Sequence, residues 1–313
     1  MRVKLFTISA TFTSVMVTWL HCFHNIIDPL MSDFKRNPKD IKYHVAKYLL
    51  ENRQDLAGKV VIDLPAGTGF TSDLLLKYGA KVHAFDLFPE YFKSKAISCE
   101  RADVTKSIPV QGAMADMLIC QEGIEHFSDQ LKVMKEFNRT LKIGGSLVIT
   151  TPSYSNLAAK FSYLLFESET NNQMPPNEIN DIWMADESLT GEIYYGHVFL
   201  IGLQKLRMLG RLSGFNIKEI RYVRLSRASL LLFPFFYPLI LLRSLLTYSS
   251  NMRKLPKLSK AKKASVYKAQ LLININPKHL LNKHIFIVFE KEQAADTVNF
   301  RNQEAIKGFD TTT

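Results

Sequence analysis

The chain has 313 residues, 47% of them apolar and 22% charged, without a low-complexity stretch. That composition excludes a disordered tail protein and a disulfide scaffold, and the length suffices to bury a core unaided. Cys22, Cys99 and Cys120 are far apart and form no CxxC pair, which points to a reducing compartment and away from structural zinc.

The net charge of +11 is unevenly placed. Residues 1–219 hold 24 basic and 24 acidic side chains, residues 220–289 hold 13 basic and no acidic ones, and residues 290–313 hold 3 and 5. Within the neutral part, residues 161–204 carry seven acids and no Lys or Arg. Such segregation implies two surfaces with different partners.

In chain order, residues 1–38 read as a leader or N-terminal extension. Arg2 and Lys4 precede a mildly apolar run, Leu5 to Leu20, that Thr and Ser interrupt and no clear small-residue cleavage site follows. Met31 is the expected start, with a weak anchor as the alternative. Residues 39–56 carry Ile41, Val45, Tyr48 and Leu49 at helical spacing and stop at Gly58. Residues 59–64 (KVVIDL) read as a strand buried on both faces, residues 65–70 as a glycine-containing turn and residues 71–78 as a helix. Further strands are expected over 81–86 (KVHAFD), up to Asp103, over 116–120 (DMLIC) and over 146–151 (SLVITT). An amphipathic helix is expected over 128–142, with Gly144 and Gly145 as punctuation after it.

After Thr151 the rhythm changes. Residues 156–166 look helical, residues 167–192 form a polar lid with Pro175 and Pro176, and residues 204–213 resume a helix. Strands are expected over 215–223 and 284–290. The alternation implies βαβ crossovers: an α/β, doubly wound, Rossmann-like sheet that binds ligands at the carboxyl ends of its strands.

The turn Asp63-Leu64-Pro65-Ala66-Gly67-Thr68-Gly69 follows a strand and opens a helix, where glycine lets backbone approach a ligand closely. Asp86 ends the second strand, placing a carboxylate where it could accept both hydroxyls of a ribose. Asp103 follows at the next strand end. Each acid alone is also explained as a strand-end or helix-capping carboxylate.

With these residues in place, the chain resembles the class I S-adenosylmethionine-dependent methyltransferases. VIDLPAGTG matches their first motif, HAFDLF the acidic second and ERADVTKSIPV the third. ADMLICQEGIEHFSD and LKIGGSLVITTPS match the fourth and fifth. The resemblance covers residues 40–151 and implies a seven-stranded, mostly parallel sheet whose last strand is antiparallel. It implies that S-adenosyl-L-methionine is the cofactor, with Asp63, Gly67 and Gly69 beside its methionine part. Asp86 falls at the ribose and Asp103 with Val104 at the adenine; Pro65 and Gln121 complete the expected set. Pro65 departs from the family, which has glycine there; proline fixes φ near −65° and excludes a left-handed turn at that position. A dinucleotide-dependent reductase of similar fold would show G-x-G-x-x-G, whereas this turn reads Pro-Ala-Gly-Thr-Gly-Phe-Thr.

Gln121-Glu122-Gly123-Ile124-Glu125-His126 follows the fourth strand, and His197 lies in a Tyr-Tyr-Gly-His-Val segment. Glu122, Glu125, His126 and His197 are candidate ligands of Mg²⁺ or Mn²⁺. The E-x-x-E-H pattern is similar to that of ubiquinone-type O-methyltransferases and small-RNA 2′-O-methyltransferases, which implies a divalent metal near the acceptor hydroxyl. His126 stays open between metal ligand, general base and helix cap.

Residues 228–268 form an apolar and basic insertion between the last two strands. Its core, residues 230–242 (LLLFPFFYPLILL), is broken by Pro234 and Pro238 and, at 13 residues, is too short to span a bilayer as a straight helix, which takes roughly 20. Apolar residues flanked by cations match a segment that docks on an anionic membrane. A buried hairpin over the sheet edge and an RNA-binding surface are the alternatives.

The expected organisation is a methyltransferase domain over 39–227 and 269–292, the insertion, and a tail over 293–313. The expected function is methylation of a hydroxyl on an amphiphilic or lipid-linked small molecule, at the cytoplasmic face of a membrane. An RNA 2′-O-methyltransferase and a catalytically idle scaffold are the other readings.

Overall fold

The computed structural model describes residues 37–170, 173–182, 194–254 and 259–298. Residues 1–36 of the leader expected over 1–38, with the expected start at Met31, much of the lid expected over 167–192 and the tail from 299 onward lie outside the described residues.

Seven strands form one sheet in the order β3-β2-β1-β4-β5-β7-β6. They are β1 (Val60–Asp63), β2 (Lys81–Asp86), β3 (Cys99–Arg101), β4 (Ala115–Gln121), β5 (Leu141–Pro152), β6 (Phe215–Ile220) and β7 (His284–Lys291). β1 to β5 pair in parallel, while β7 runs antiparallel to both β5 and β6. This is the class I methyltransferase topology that the motifs imply.

The central strands β1, β4, β5 and β7 are largely apolar on both sides because helices cover both faces. Ile62, Leu118, Cys120, Leu147, Ile149 and Ile287 belong to one core, with α3 (Gln130–Thr140) and α5 (Leu203–Leu212). Their neighbours Val61, Ile119, Val148, Phe286 and Val288 belong to the other, with α1 (Ile41–Glu51) and α2 (Phe70–Lys77). The period-two alternation of a strand divides each apolar run between the two cores.

Several boundaries move from their expected places. The third strand ends at Arg101, and Asp103 opens the next turn, where it accepts hydrogen bonds from the Thr105 amide (3.0 Å) and hydroxyl (2.6 Å). The helix expected over 128–142 starts after Asp129, whose side chain caps the Lys132 amide at 3.0 Å, and ends at Thr140. Gly144 and Gly145 do not end the segment; they lie inside β5, which spans 12 residues. The strand expected over 215–223 stops at Ile220.

The largest difference lies in the insertion. Pro234 and Pro238 do not break it: α6 (Arg227–Arg253) is a single helix of 27 residues, about 40 Å long at 1.5 Å per residue. Each proline forfeits one backbone hydrogen bond, and the leucine-rich sequence on either side continues the helix. By length and composition α6 could cross a membrane. α7 (Lys260–Ile275) runs back beside it, and Asn274 of α7 donates to the Ser244 hydroxyl at 2.7 Å. The segment is no buried hairpin, since Ser229 is the one buried residue of α6. α4 (Leu157–Phe166) packs against it through Phe161 and Phe236, with ring centroids 5.5 Å apart.

Candidate active site

A cavity of about 830 Å³ opens at the carboxyl ends of β1, β2 and β4. Of the candidate site residues, Pro65, Gly67, Asp86, Asp103, Val104, Gln121, Glu122 and His126 line it. Asp63 and Gly69 do not. Gly69 caps α2 at φ +87°, a left-handed conformation suited to glycine, and a Cβ there would meet the Phe92 ring at 2.9 Å. Asp63 lies beneath the turn, 1% exposed.

The turn is held by both strand ends. Asp86 accepts hydrogen bonds from the Gly67 amide (2.8 Å) through one oxygen and from the Phe88 amide (2.9 Å) through the other. Each carboxylate oxygen keeps a second lone pair for a ligand hydroxyl. The Ser72 hydroxyl donates to Asp63 at 2.6 Å, and the Thr71 hydroxyl to Gln121 at 2.9 Å, so the first turn of α2 is fastened to β1 and β4. Burial, aided by the nearby Asp86 charge, pushes the Asp63 pKa up to about 7. Gly67, at φ +51°, has no atom within 4 Å of where a Cβ would sit, so its bare Cα leaves open space.

Pro65, where the family has glycine, meets Gly123 across the cavity floor. A Cβ on Gly123 would lie 2.4 Å from the Pro65 ring, which joins the cofactor turn to the E-x-x-E-H turn by direct packing.

Three of the four proposed metal-ligating residues come together: one ligand atom each from Glu125, His126 and His197 lies within 4.8 Å of the others. Glu125 is fully buried, and among the described residues neither of its oxygens has a hydrogen-bond partner at good geometry. Burial first, then the charge of Glu122, raises its pKa. His126 Nδ1 lies 2.7 Å from the Tyr195 carbonyl and 3.0 Å from that of Gly196, so Nδ1 carries the proton and donates, and Nε2 holds the lone pair. Burial lowers the His126 pKa and keeps the ring neutral at pH 7. Glu122 turns elsewhere. At φ +49° it accepts from the Thr150 hydroxyl at 3.0 Å and faces His284 Nε2 at 3.4 Å, at the start of β7.

Sequence reasoning missed several contributors to the wall. Ile41 and Lys42 come from α1, and Tyr91, Tyr194 and Tyr195 from loops without periodic pattern. Tyr194 stacks on His126 at 4.8 Å, and its only signal is proximity to His197.

The glycine turn, the acids Asp86 and Asp103 at the cavity edge and this sheet order make up the fold of the class I S-adenosylmethionine-dependent methyltransferases. Residues 62–149 match the family model described as Methyltransferase domain. Over 108 residues the chain is 32% identical to the ubiquinone biosynthesis O-methyltransferase of Xanthomonas oryzae pv. oryzae (strain PXO99A), covering 32% of this chain and 45% of that protein. The namesake from Psychrobacter arcticus is 27% identical over 136 residues, 40% of this chain and 53% of that one. The chain thus spans about half the length of the curated relatives it matches. Among solved structures, a SAM-dependent methyltransferase from Archaeoglobus fulgidus covers 84% of this chain and 98% of its own at 12% identity and a TM-score of 0.48.

Proposed function

We propose that this protein transfers the methyl group of S-adenosylmethionine to a hydroxyl of an amphiphilic or lipid-linked small molecule at a membrane surface. The observation that carries the reading is His126, a neutral imidazole on the cavity wall whose tautomer is fixed by two backbone carbonyls. The names of the relatives, O-methyltransferases of ubiquinone biosynthesis, support oxygen as the accepting atom.

S-adenosylmethionine, when bound, supplies an electrophilic methyl on a sulfonium that leaves as a neutral thioether. Asp86 would hold the ribose hydroxyls, Asp103 and Val104 would form the adenine wall, and the turn from Pro65 to Gly67 would border the methionine end. His126 Nε2 would take the proton of the acceptor hydroxyl as that oxygen accepts the methyl group. Tyr194, stacked on His126, and Phe127 give this part of the cavity an aromatic wall that suits an apolar acceptor.

Glu125, His126 and His197 also fit a divalent cation, because one ligand atom from each lies within 4.8 Å of the others and the Glu125 carboxyl is buried among them. Such a cation, when bound, lowers the acceptor hydroxyl's pKa, and His126 then serves as its ligand instead of the base.

The experiment follows labelled methyl transfer from S-adenosylmethionine into amphiphilic phenols and lipid extracts, with and without exhaustive chelation. Transfer that survives chelation and is lost in His126→Ala supports the base; transfer lost on chelation and restored by Mg²⁺ or Mn²⁺ supports the metal. No S-adenosylhomocysteine binding by the folded protein overturns the reading.

A further inference from the structure

Helix α6 forms the outer layer of the β6–β7 connection. Its base is fixed to the domain: the Ser229 hydroxyl accepts from the Ala158 amide at 3.0 Å and donates to Asn156 at 3.1 Å. Phe233, Phe236, Tyr237 and Leu241 are half-buried. The opposite face is also apolar. Leu231, Phe235, Leu239, Leu242 and Leu246, spaced to trace one stripe, are between 55% and 73% exposed. A helix packed on a domain in water carries charge on that side, yet Arg243 is the one charged residue between Ala228 and Met252. Leu164 and Leu165 of the adjoining α4 are exposed as well.

Cations border this surface without a counter-charge. Arg227, Arg243, Arg253, Lys254, Lys260 and Lys268 are exposed, and no acid occurs over 220–289. The far end of α6 is tied back, because Lys263 donates to the carbonyls of Met252 (2.8 Å) and Lys254 (3.0 Å). If α6 crossed a bilayer, α7 would have to return through it with Lys260, Lys262, Lys263 and Lys268. A flat position avoids that cost. β6 ends and β7 begins at the carboxyl edge of the sheet, where Pro152 pairs with His284, so α6 leaves the domain on the edge that carries the cavity.

We propose that α6 lies flat in the interface of an anionic bilayer, with the stripe from Leu231 to Leu246 sunk among the acyl chains and the cationic rim on the headgroups. The cavity edge is thereby held toward a lipid-borne acceptor. This deepens the membrane-surface part of the function proposed above and stands or falls apart from methyl transfer itself.

The test uses the full chain and flotation with vesicles of phosphatidylcholine, with and without phosphatidylglycerol. The pair Phe235→Ser and Leu239→Ser is expected to lower partitioning about a hundredfold. Arg253→Gln with Lys254→Gln lowers it about tenfold at low salt. Single Leu231→Trp and Leu246→Trp variants are expected to show the same depth, roughly 5–10 Å below the headgroups, by quenching with brominated lipids. Unequal depths would overturn the flat position in favour of a crossing. Undiminished flotation of the Phe235/Leu239 variant, or full release at about 1 M salt, where the screening length is roughly 3 Å, would overturn acyl-chain insertion. Binding to RNA with none to vesicles overturns it too. S-adenosylhomocysteine titration of every variant reports the cofactor domain separately, so retained binding with failed flotation sinks the membrane proposal alone.

Discussion

Replacing Asp63 by Asn should make the protein more stable and a poorer binder of its cofactor. The carboxylate is buried beneath the turn, one oxygen accepts from Ser72 at 2.6 Å, and the other has no hydrogen-bond partner. Desolvation lifts its pKa from 3.8 to about 7. Between those values the folded state binds the proton more tightly than the unfolded chain, so stability falls as pH rises through the window. A gap of about 3 units corresponds to about 4 kcal/mol fully lost above pH 7 and about 1.5 kcal/mol lost at about pH 5. Asp63→Asn keeps the shape and an acceptor for Ser72 but removes the charge. Urea unfolding of both proteins at about pH 5 and about pH 8 should show a gain that grows by roughly 2–3 kcal/mol between the two. Calorimetry at about pH 8 should show weaker S-adenosylhomocysteine binding by the variant. A variant no more stable at the higher pH, or a gain equal at both, would refute the assignment of a raised pKa to this carboxylate.

Asp86→Ala removes the acceptor for the Gly67 and Phe88 amides and, on the function proposed above, the ribose contact; calorimetry should show S-adenosylhomocysteine affinity at least tenfold lower, roughly the loss of one charged hydrogen bond. Gly123→Ala drives a methyl into the Pro65 ring, 2.4 Å away, and should cost about 1–3 kcal/mol in denaturant unfolding while weakening cofactor binding. An unchanged midpoint and affinity would show that the two turns move independently.

The sheet and the cofactor half of the site were legible because their signals are local. Short, nearly continuous apolar runs bounded by turn signals suit strands covered on both sides, and VIDLPAGTG, HAFDLF and ERADVTKSIPV carry their acids at, or two residues past, successive strand ends. The acceptor half was less legible. Glu122 belongs to the E-x-x-E-H pattern, yet its left-handed backbone and its partners Thr150 and His284 turn its carboxylate from the cluster that Glu125, His126 and His197 form. That choice depends on β5 and β7, which lie far away in sequence. Pro65 departs from the family pattern, and its packing against Gly123 joins two turns that are far apart along the chain.

The insertion shows the same division. Its charge, its lack of acids and its leucines were plain in the chain, and so was a surface unlike the rest of the protein. Two prolines four residues apart nevertheless suggested a break where α6 continues for 27 residues. Only tertiary contacts decide which of its apolar faces is covered. The sequence by itself determined the strands, the cofactor turn and the segregation of charge, because backbone preference, burial period and charge are properties of neighbours along the chain. The tertiary structure decided the tautomer of His126, the company of Glu125 and the uncovered face of α6, because each depends on groups brought together only after the chain has folded.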